Sequence, residues 1–213
     1  TLADTVFFTH PGTESLELAV KMARRHWHAA GEDRPEIVTF GGAFHGRSTA
    51  AIAAAGSEKM TAGFGPLMPG FVHVPWGDHE ALRAAVTQRT AAVLIEPVQG
   101  EGGIRPLPDH CLRGLRELCD ATGALLILDE VMTGAGRTGA FCAAEHWGVV
   151  PDIMVLSKGF AAGYVPLGAM AAQGEIVEAV LDAGGFLHGY TYAGNPLACA
   201  AGLAVVEEIE RQG

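Results

Sequence analysis

The sequence predicts an α/β protein with a mostly parallel, seven-stranded sheet and helices on both faces. Three observations carry this. Short runs of apolar and β-branched residues alternate with longer segments of helical periodicity. The strand-like runs are apolar almost throughout, as in strands covered on both sides. Glycine and polar residues gather just after those runs, at the carboxyl ends where such sheets bind ligands.

The strand-like runs are 5–9, 37–40, 71–74, 92–96, 125–129, 153–156 and 167–171. Helices are expected over 14–30, 79–87, 109–122, 176–183 and 196–211. Segment 109–122 illustrates the criterion. Leu112, Leu115, Leu118 and Cys119 recur at three-to-four spacing, with Arg113, Arg116, Glu117 and Asp120 between them. There is no internal repeat, low-complexity stretch or linker, so one domain over 1–213 is expected.

Composition narrows the function. A chain of 213 residues, 49% hydrophobic and 18% charged, suits a globular domain with a sizeable core. Its longest apolar runs, such as 124–128, fall far short of the roughly 20 residues that span a membrane. A net charge of −10 argues against nucleic acid as a partner, since phosphate binding needs a basic face. Cys111, Cys119, Cys142 and Cys199 lack CxxC spacing and read as reduced thiols of a cytoplasmic protein. Nine histidines include no HExxH and no paired Cys/His spacing, so no metal site is expected. The chain opens on Thr1 without a basic, apolar leader, the expectation for a sequence whose true start lies upstream.

Chemistry concentrates at three strand ends. Of three lysines, Lys21 and Lys59 lie in polar settings, whereas Lys158 follows an apolar strand and precedes Gly159, Gly163 and Gly168. A lysine there is either a surface charge or a rigidly held amine that bonds a carbonyl. Asp129 closes the run Leu125-Leu126-Ile127-Leu128. It either caps a loop or pairs with a cationic ring nitrogen. Gly12-Thr13 opens a helix, where free amides and the helix dipole favour a phosphate, although Thr is also a common cap. The run Gly134-Ala135-Gly136-Arg137-Thr138-Gly139 matches GxGxxG, which keeps a dinucleotide-binding oxidoreductase as a rival reading. It does not directly follow a strand, and two carboxylates intervene.

Several motifs in order resemble the class III (ornithine-type) aminotransferases of pyridoxal-phosphate fold type I. They are Gly12-Thr13-Glu14, Phe44-His45-Gly46-Arg47, Glu96-Pro97-Val98-Gln99-Gly100-Glu101-Gly102-Gly103, Leu128-Asp129-Glu130-Val131, Gly136-Arg137-Thr138-Gly139, Ser157-Lys158-Gly159, Pro166-Leu167-Gly168 and Thr191-Tyr192-Ala193-Gly194-Asn195-Pro196. The resemblance implies pyridoxal 5'-phosphate (PLP) as cofactor, with Lys158 bonded to it and moving a proton. It implies that Asp129 pairs with the ring nitrogen, Val131 and Phe44 cover the two ring faces, and Gly12 and Thr13 hold the phosphate. His45, Glu130 and Met132 count among the cofactor contacts, and Thr191 reaches the phosphate from a second subunit of a homodimer. Arg47, Glu101 and Tyr190 fall at substrate-side positions, Glu101 as a gate that pairs with an arginine of a C-terminal domain. The family's chains are about twice as long, so the resemblance makes 1–213 the cofactor-binding large domain. The N-terminal segment and the C-terminal small domain lie outside it.

The implied reaction moves an amino group from an ω-amine donor, best N2-acetylornithine, to 2-oxoglutarate. Ornithine, 4-aminobutyrate, an aminomutase reaction and a cofactor-binding but catalytically weak fragment are the alternatives. Two positions depart from the family pattern. Pro11 stands where members usually carry Ser, and Met132 where many acetylornithine enzymes carry Gln. Through Leu128 the chain is closest to acetylornithine aminotransferases; 163–168 and 188–191 look more like other class III branches.

Overall fold

The computed structural model describes residues 3–212. Its main sheet has seven strands in the order β1-β9-β8-β7-β4-β2-β3. They are β1 (Thr5–Thr9), β2 (Glu36–Phe40), β3 (Phe71–Val74), β4 (Thr90–Ile95), β7 (Leu125–Asp129), β8 (Ile153–Leu156) and β9 (Gly168–Ala172). A small antiparallel hairpin, β5 (Val98–Gln99) with β6 (Arg105–Pro106), lies apart. The β3, β2, β4, β7 and β8 neighbours are all parallel, whereas β9 pairs antiparallel with both β1 and β8. The segment 157–167 between β8 and β9 explains the exception. A parallel crossover needs a dozen or more residues and usually a helix, and this connection holds only a 3-10 turn, Lys158–Ala161.

Helices close both faces. On one side α1 (Gly12–Ala29) buries Leu16, Ala19, Val20, Ala23 and Trp27, one stripe at helical spacing, against Ile127, Ile153, Val155 and Met170. Ile176 and Val180 of α6 (Gly174–Asp182) join that core. On the other side Leu112, Leu115 and Cys119 of α5 (Asp109–Thr122) meet Val93, Leu126, Leu128 and Trp147. Strand β7 thus sends Leu125 and Ile127 to one core and Leu126 and Leu128 to the other. That two-sided burial is why its sequence is continuously apolar. The C-terminal helix α7 (Pro196–Gln212) rests on the turn after β8 through Ala161, Leu167 and Ala198.

All seven expected strands and all five expected helices are present, with ends shifted by one or two residues. One two-residue shift matters for the site: α1 begins at Gly12 rather than Glu14. Three segments escaped the periodicity reading. Helix α2 (Thr49–Ala55) is capped by Ser48, whose hydroxyl accepts from the Ala51 amide. Its Ala50 to Ala55 are all buried, so it has no polar face to mark a period. Helices α3 (Glu58–Thr61) and α4 (His79–Ala85) are short, and only α4 was expected. The β5–β6 hairpin was hidden inside a glycine-rich motif.

Candidate active site

A cavity of about 470 Å³ opens at the carboxyl ends of β1, β4, β7 and β8. That lies within the roughly 300–1,000 Å³ usual for small-molecule sites. Gly12, Thr13, Phe44, His45, Glu101, Asp129, Val131, Met132 and Lys158 all line it. Nine residues expected at the site, from five separate segments, therefore share one cavity.

Asp129 forms its floor. One carboxylate oxygen accepts from the Val131 amide at 3.0 Å, and the other lies 2.8 Å from His45 Nδ1. Asp129 is 5% exposed and His45 is 3% exposed, so the pair is held rigidly in a low-dielectric setting. His45 donates its Nδ1 proton to the carboxylate, and its Nε2 is buried with no protein partner. Lys158 stands on a different strand end in the left-handed region, with φ of 45°. Such a conformation costs a side-chain-bearing residue about 1–3 kcal/mol and collects at functional sites. The neighbouring Ser157 hydroxyl donates to the Leu167 carbonyl at 3.1 Å and pins that turn to the cavity wall.

The third component is the start of α1. The Glu14 and Ser15 amides turn back to the Pro11 carbonyl at 3.0 and 3.4 Å. The Gly12 and Thr13 amides, at the first two helical positions, precede the helix's internal bonding and lie at the cavity. Gly12 is required by close approach, since a Cβ there would sit 2.9 Å from Val131 Cγ2 and 3.3 Å from Ser157 Cβ. The site is thus electrically divided: helix amides at one end and buried carboxylates at the other.

Pro11 occupies the N-cap of α1 and gives it no side-chain bond. If the α1 amides hold a phosphate, Pro11→Ser is expected to bind the phosphate-bearing ligand on the order of tenfold more tightly, since a bond to a charged acceptor contributes about 1.5–3 kcal/mol. Fluorescence titration of both proteins checks this, and equal dissociation constants would remove position 11 from the phosphate site. A capping gain of about 0.5–2 kcal/mol in thermal stability should accompany it.

Glu96 is the residue that sequence reasoning left out. It follows β4, lines the cavity, and is 5% exposed. Its carboxylate accepts from the Phe44 amide at 2.9 Å and the Gly100 amide at 3.5 Å. The signal was present: a carboxylate directly after the apolar run 91–95, followed by proline. Burial pushes Glu96 from its ordinary 4.5 up to about 7, with His45 opposing and Asp129 adding to the rise. A carboxyl raised on folding binds more protons folded than unfolded between those two values. Its contribution to stability is complete below pH 4.5 and is lost as pH climbs through about 7. Glu96→Gln should therefore flatten the fall in stability across that window by on the order of 3 kcal/mol. Burial also raises Glu130, so some slope should remain. Parallel curves for parent and variant in denaturant melts across that pH range would refute this.

Four expected site residues lie outside the cavity lining. Glu130, expected among the cofactor contacts, is fully buried and its carboxylate does not line the cavity. Its carboxylate takes the Ala143 amide at 3.0 Å, the Ala144 amide at 2.8 Å and the Thr133 hydroxyl, and so anchors the 3-10 turn Ala143–Trp147. Arg47 is exposed, its guanidinium 5.4 Å from the Phe44 ring centroid beside the mouth. The Tyr190 hydroxyl donates to the Glu14 carbonyl at 3.0 Å, and its ring packs on the α1 core. Thr191 is exposed in the turn before α7. Residues 134–139 form turns with no helix springing from the strand end, so the GxGxxG match is not a dinucleotide loop. Gly134 serves packing there, as a Cβ would sit 2.7 Å from Leu156 Cδ2 and 2.8 Å from the Glu130 carbonyl oxygen.

The model of the family "Aminotransferase class-III" matches residues 1–213. The acetylornithine aminotransferase of Rhodobacter capsulatus is 58% identical over 214 aligned residues, covering 100% of this chain and 53% of that protein. The Brucella melitensis acetylornithine aminotransferase is 51% identical, covering 100% and 52%. A PLP-bound amine transaminase from an uncultivated Pseudomonas species superposes with a TM-score of 0.91 at 37% identity, over 99% of this chain and 53% of the other. The ornithine aminotransferase of Toxoplasma gondii gives 0.92 at 34% identity, over 99% and 50%. The chain spans about half the length of the curated relatives it matches. With the motifs aligned along its whole length and the fold type I sheet of these transaminases reproduced, the chain belongs to the class III aminotransferases.

Proposed function

We propose that this chain is the PLP-binding large domain of an enzyme that transfers an amino group from N2-acetylornithine to 2-oxoglutarate. The observation that carries the reading is the shared cavity of Lys158, the His45–Asp129 pair and the α1 N-terminus. The cofactor fits this donor set. Its phosphate would suit the Gly12 and Thr13 amides and its cationic ring nitrogen the buried Asp129 carboxylate, and Val131 and Phe44, which line the same cavity, would flank the ring. When bound, PLP supplies an electron sink for negative charge developing on the substrate carbon.

The protein's own residues do the remaining work. Asp129, oriented by His45, would keep a proton on the ring nitrogen of the bound cofactor. The Lys158 amine would take the proton from the amino-bearing substrate carbon and hold it for the next step, help typically worth about a hundredfold to ten-thousandfold. Arg47 and Glu101 sit at the mouth, where Arg47 pairs with a substrate carboxylate and Glu101 gates the cleft. A cytoplasmic homodimer, with Thr191 meeting the phosphate across the interface, belongs to the same proposal. Cofactor binding should then weaken on dilution as the dimer dissociates. Among the described residues no helix is long and apolar enough to cross a membrane.

The test compares this chain with one extended by a C-terminal small domain, each given N2-acetylornithine, ornithine and 4-aminobutyrate with 2-oxoglutarate. Both should bind PLP, and only the extended chain should turn over acetylornithine efficiently. Without a closed cleft, near-attack positioning worth up to about 7–11 kcal/mol is largely lost. Comparable turnover by the two chains would overturn the substrate-site account, and a clear preference for 4-aminobutyrate would overturn the donor.

A further inference from the structure

A second group of ligand-bearing side chains lies on the β3–β2 side of the sheet, away from the PLP cavity. His79 is the first residue of α4, and His110 and Cys111 are the second and third residues of α5. One nitrogen from each imidazole and Cys111 Sγ all lie within 4.8 Å of one another. Cys111 Sγ is 3.6 Å from His79 Nε2, and the two imidazole centroids are 5.9 Å apart. Both histidines are exposed and Cys111 is partly buried. The group rims a cavity of about 300 Å³ lined by Phe40, Trp76 and Leu107. Chain spacing did not reveal it, because His79 lies 31 residues before His110 and only the fold joins them.

The chemistry of the set is specific. Two imidazoles and one thiolate suit a borderline metal ion, whereas calcium and magnesium take oxygen ligands. Tetrahedral zinc has metal–sulfur bonds of about 2.3 Å and metal–nitrogen bonds of about 2.0–2.1 Å, which place sulfur and nitrogen roughly 3.6 Å apart. The Cys111–His79 pair already has that separation. His110 is exposed in the first turn of the same helix as Cys111. Burial holds the Cys111 thiol above its ordinary range, so the metal must displace that proton on binding, and the net charge of −10 favours a cation.

We propose that His79, His110 and Cys111 bind one divalent transition-metal ion of the zinc class, with solvent in the fourth position. Binding transfers the Cys111 thiol proton to solvent and leaves two neutral imidazoles and one thiolate on the metal. The ion ties the first turn of α4 to the first turn of α5.

Cobalt is the probe. Titrating the metal-stripped chain with Co²⁺ should raise a thiolate-to-cobalt charge-transfer band in the near ultraviolet and tetrahedral bands in the visible. Both should saturate at one equivalent and vanish when Zn²⁺ is added. Cys111→Ser should abolish the charge-transfer band. His79→Gln and His110→Gln should each weaken Zn²⁺ affinity by more than about tenfold, the low end of what loss of even an outer-sphere partner costs. Zn²⁺ should also protect Cys111 of the unaltered chain from alkylation, a readout independent of how any variant folds. Absence of the band, its survival in Cys111→Ser, or unchanged alkylation with Zn²⁺ would each overturn the site.

Discussion

Borohydride treatment of the PLP-loaded protein is expected to fix the cofactor on Lys158, and Lys158→Ala to abolish both fixation and turnover. The competing amines are poorly placed. Lys21 lies on the exposed side of α1 with its Nζ 2.7 Å from His188 Nδ1, and Lys59 is exposed on α3. Lys158 alone lines the cavity. Its left-handed backbone fixes where the side chain starts, and Ser157 holds the turn in place. In the extended enzyme, loss of the amine should cost at least the hundredfold to ten-thousandfold that a positioned proton-transfer group supplies. Noncovalent PLP binding should persist through the α1 amides and Asp129. Mapping the reduced adduct by mass spectrometry decides the matter, and an adduct on Lys21 or Lys59 would sink the assignment.

The second large effect is expected at Asp129. Asp129→Asn keeps the shape of the side chain and can still accept from the Val131 amide, but it removes the charge. An opposite charge at contact distance moves its partner's pKa by about 1–3 units. Without it the ring nitrogen loses its proton more readily, and single-turnover rates should fall by roughly tenfold to thousandfold. The cofactor should remain bound through Lys158. Its visible spectrum should titrate at lower pH than in the parent, a shift that simple loss of packing would not produce. Unchanged single-turnover kinetics would remove Asp129 from the mechanism.

Much of the molecule was legible because the sheet is buried on both faces. That burial writes itself as runs such as Leu125-Leu126-Ile127-Leu128, and strand ends then stand out as the first polar residues. Lys158, Asp129 and the Gly12-Thr13 helix start stood out in this way, and they share one cavity. The helical stripes of α1 and α5 were equally plain. Helix α2 was not, because a helix buried on every side has no period.

Side-chain direction was beyond the sequence. Asp129 and Glu130 are neighbours, and a strand sends successive side chains to opposite faces. Asp129 enters the cavity, and Glu130 turns away to the amides of Ala143 and Ala144. Nothing local decides which of two adjacent carboxylates does which. The same holds for Glu96, which became a site residue only when β4 was laid beside β7 and brought it near His45 and Asp129.

The sequence by itself therefore determined the layer architecture, the family, and the lysine and aspartate at the strand ends, since each rests on local pattern and on residue type. Tertiary structure alone decided the antiparallel course of β9, the His45–Asp129 pair, the burial of Glu96, and the meeting of His79 with His110 and Cys111. Those depend on contacts between residues far apart in the chain. Such contacts are set by how the whole core packs, and no short window of sequence encodes them.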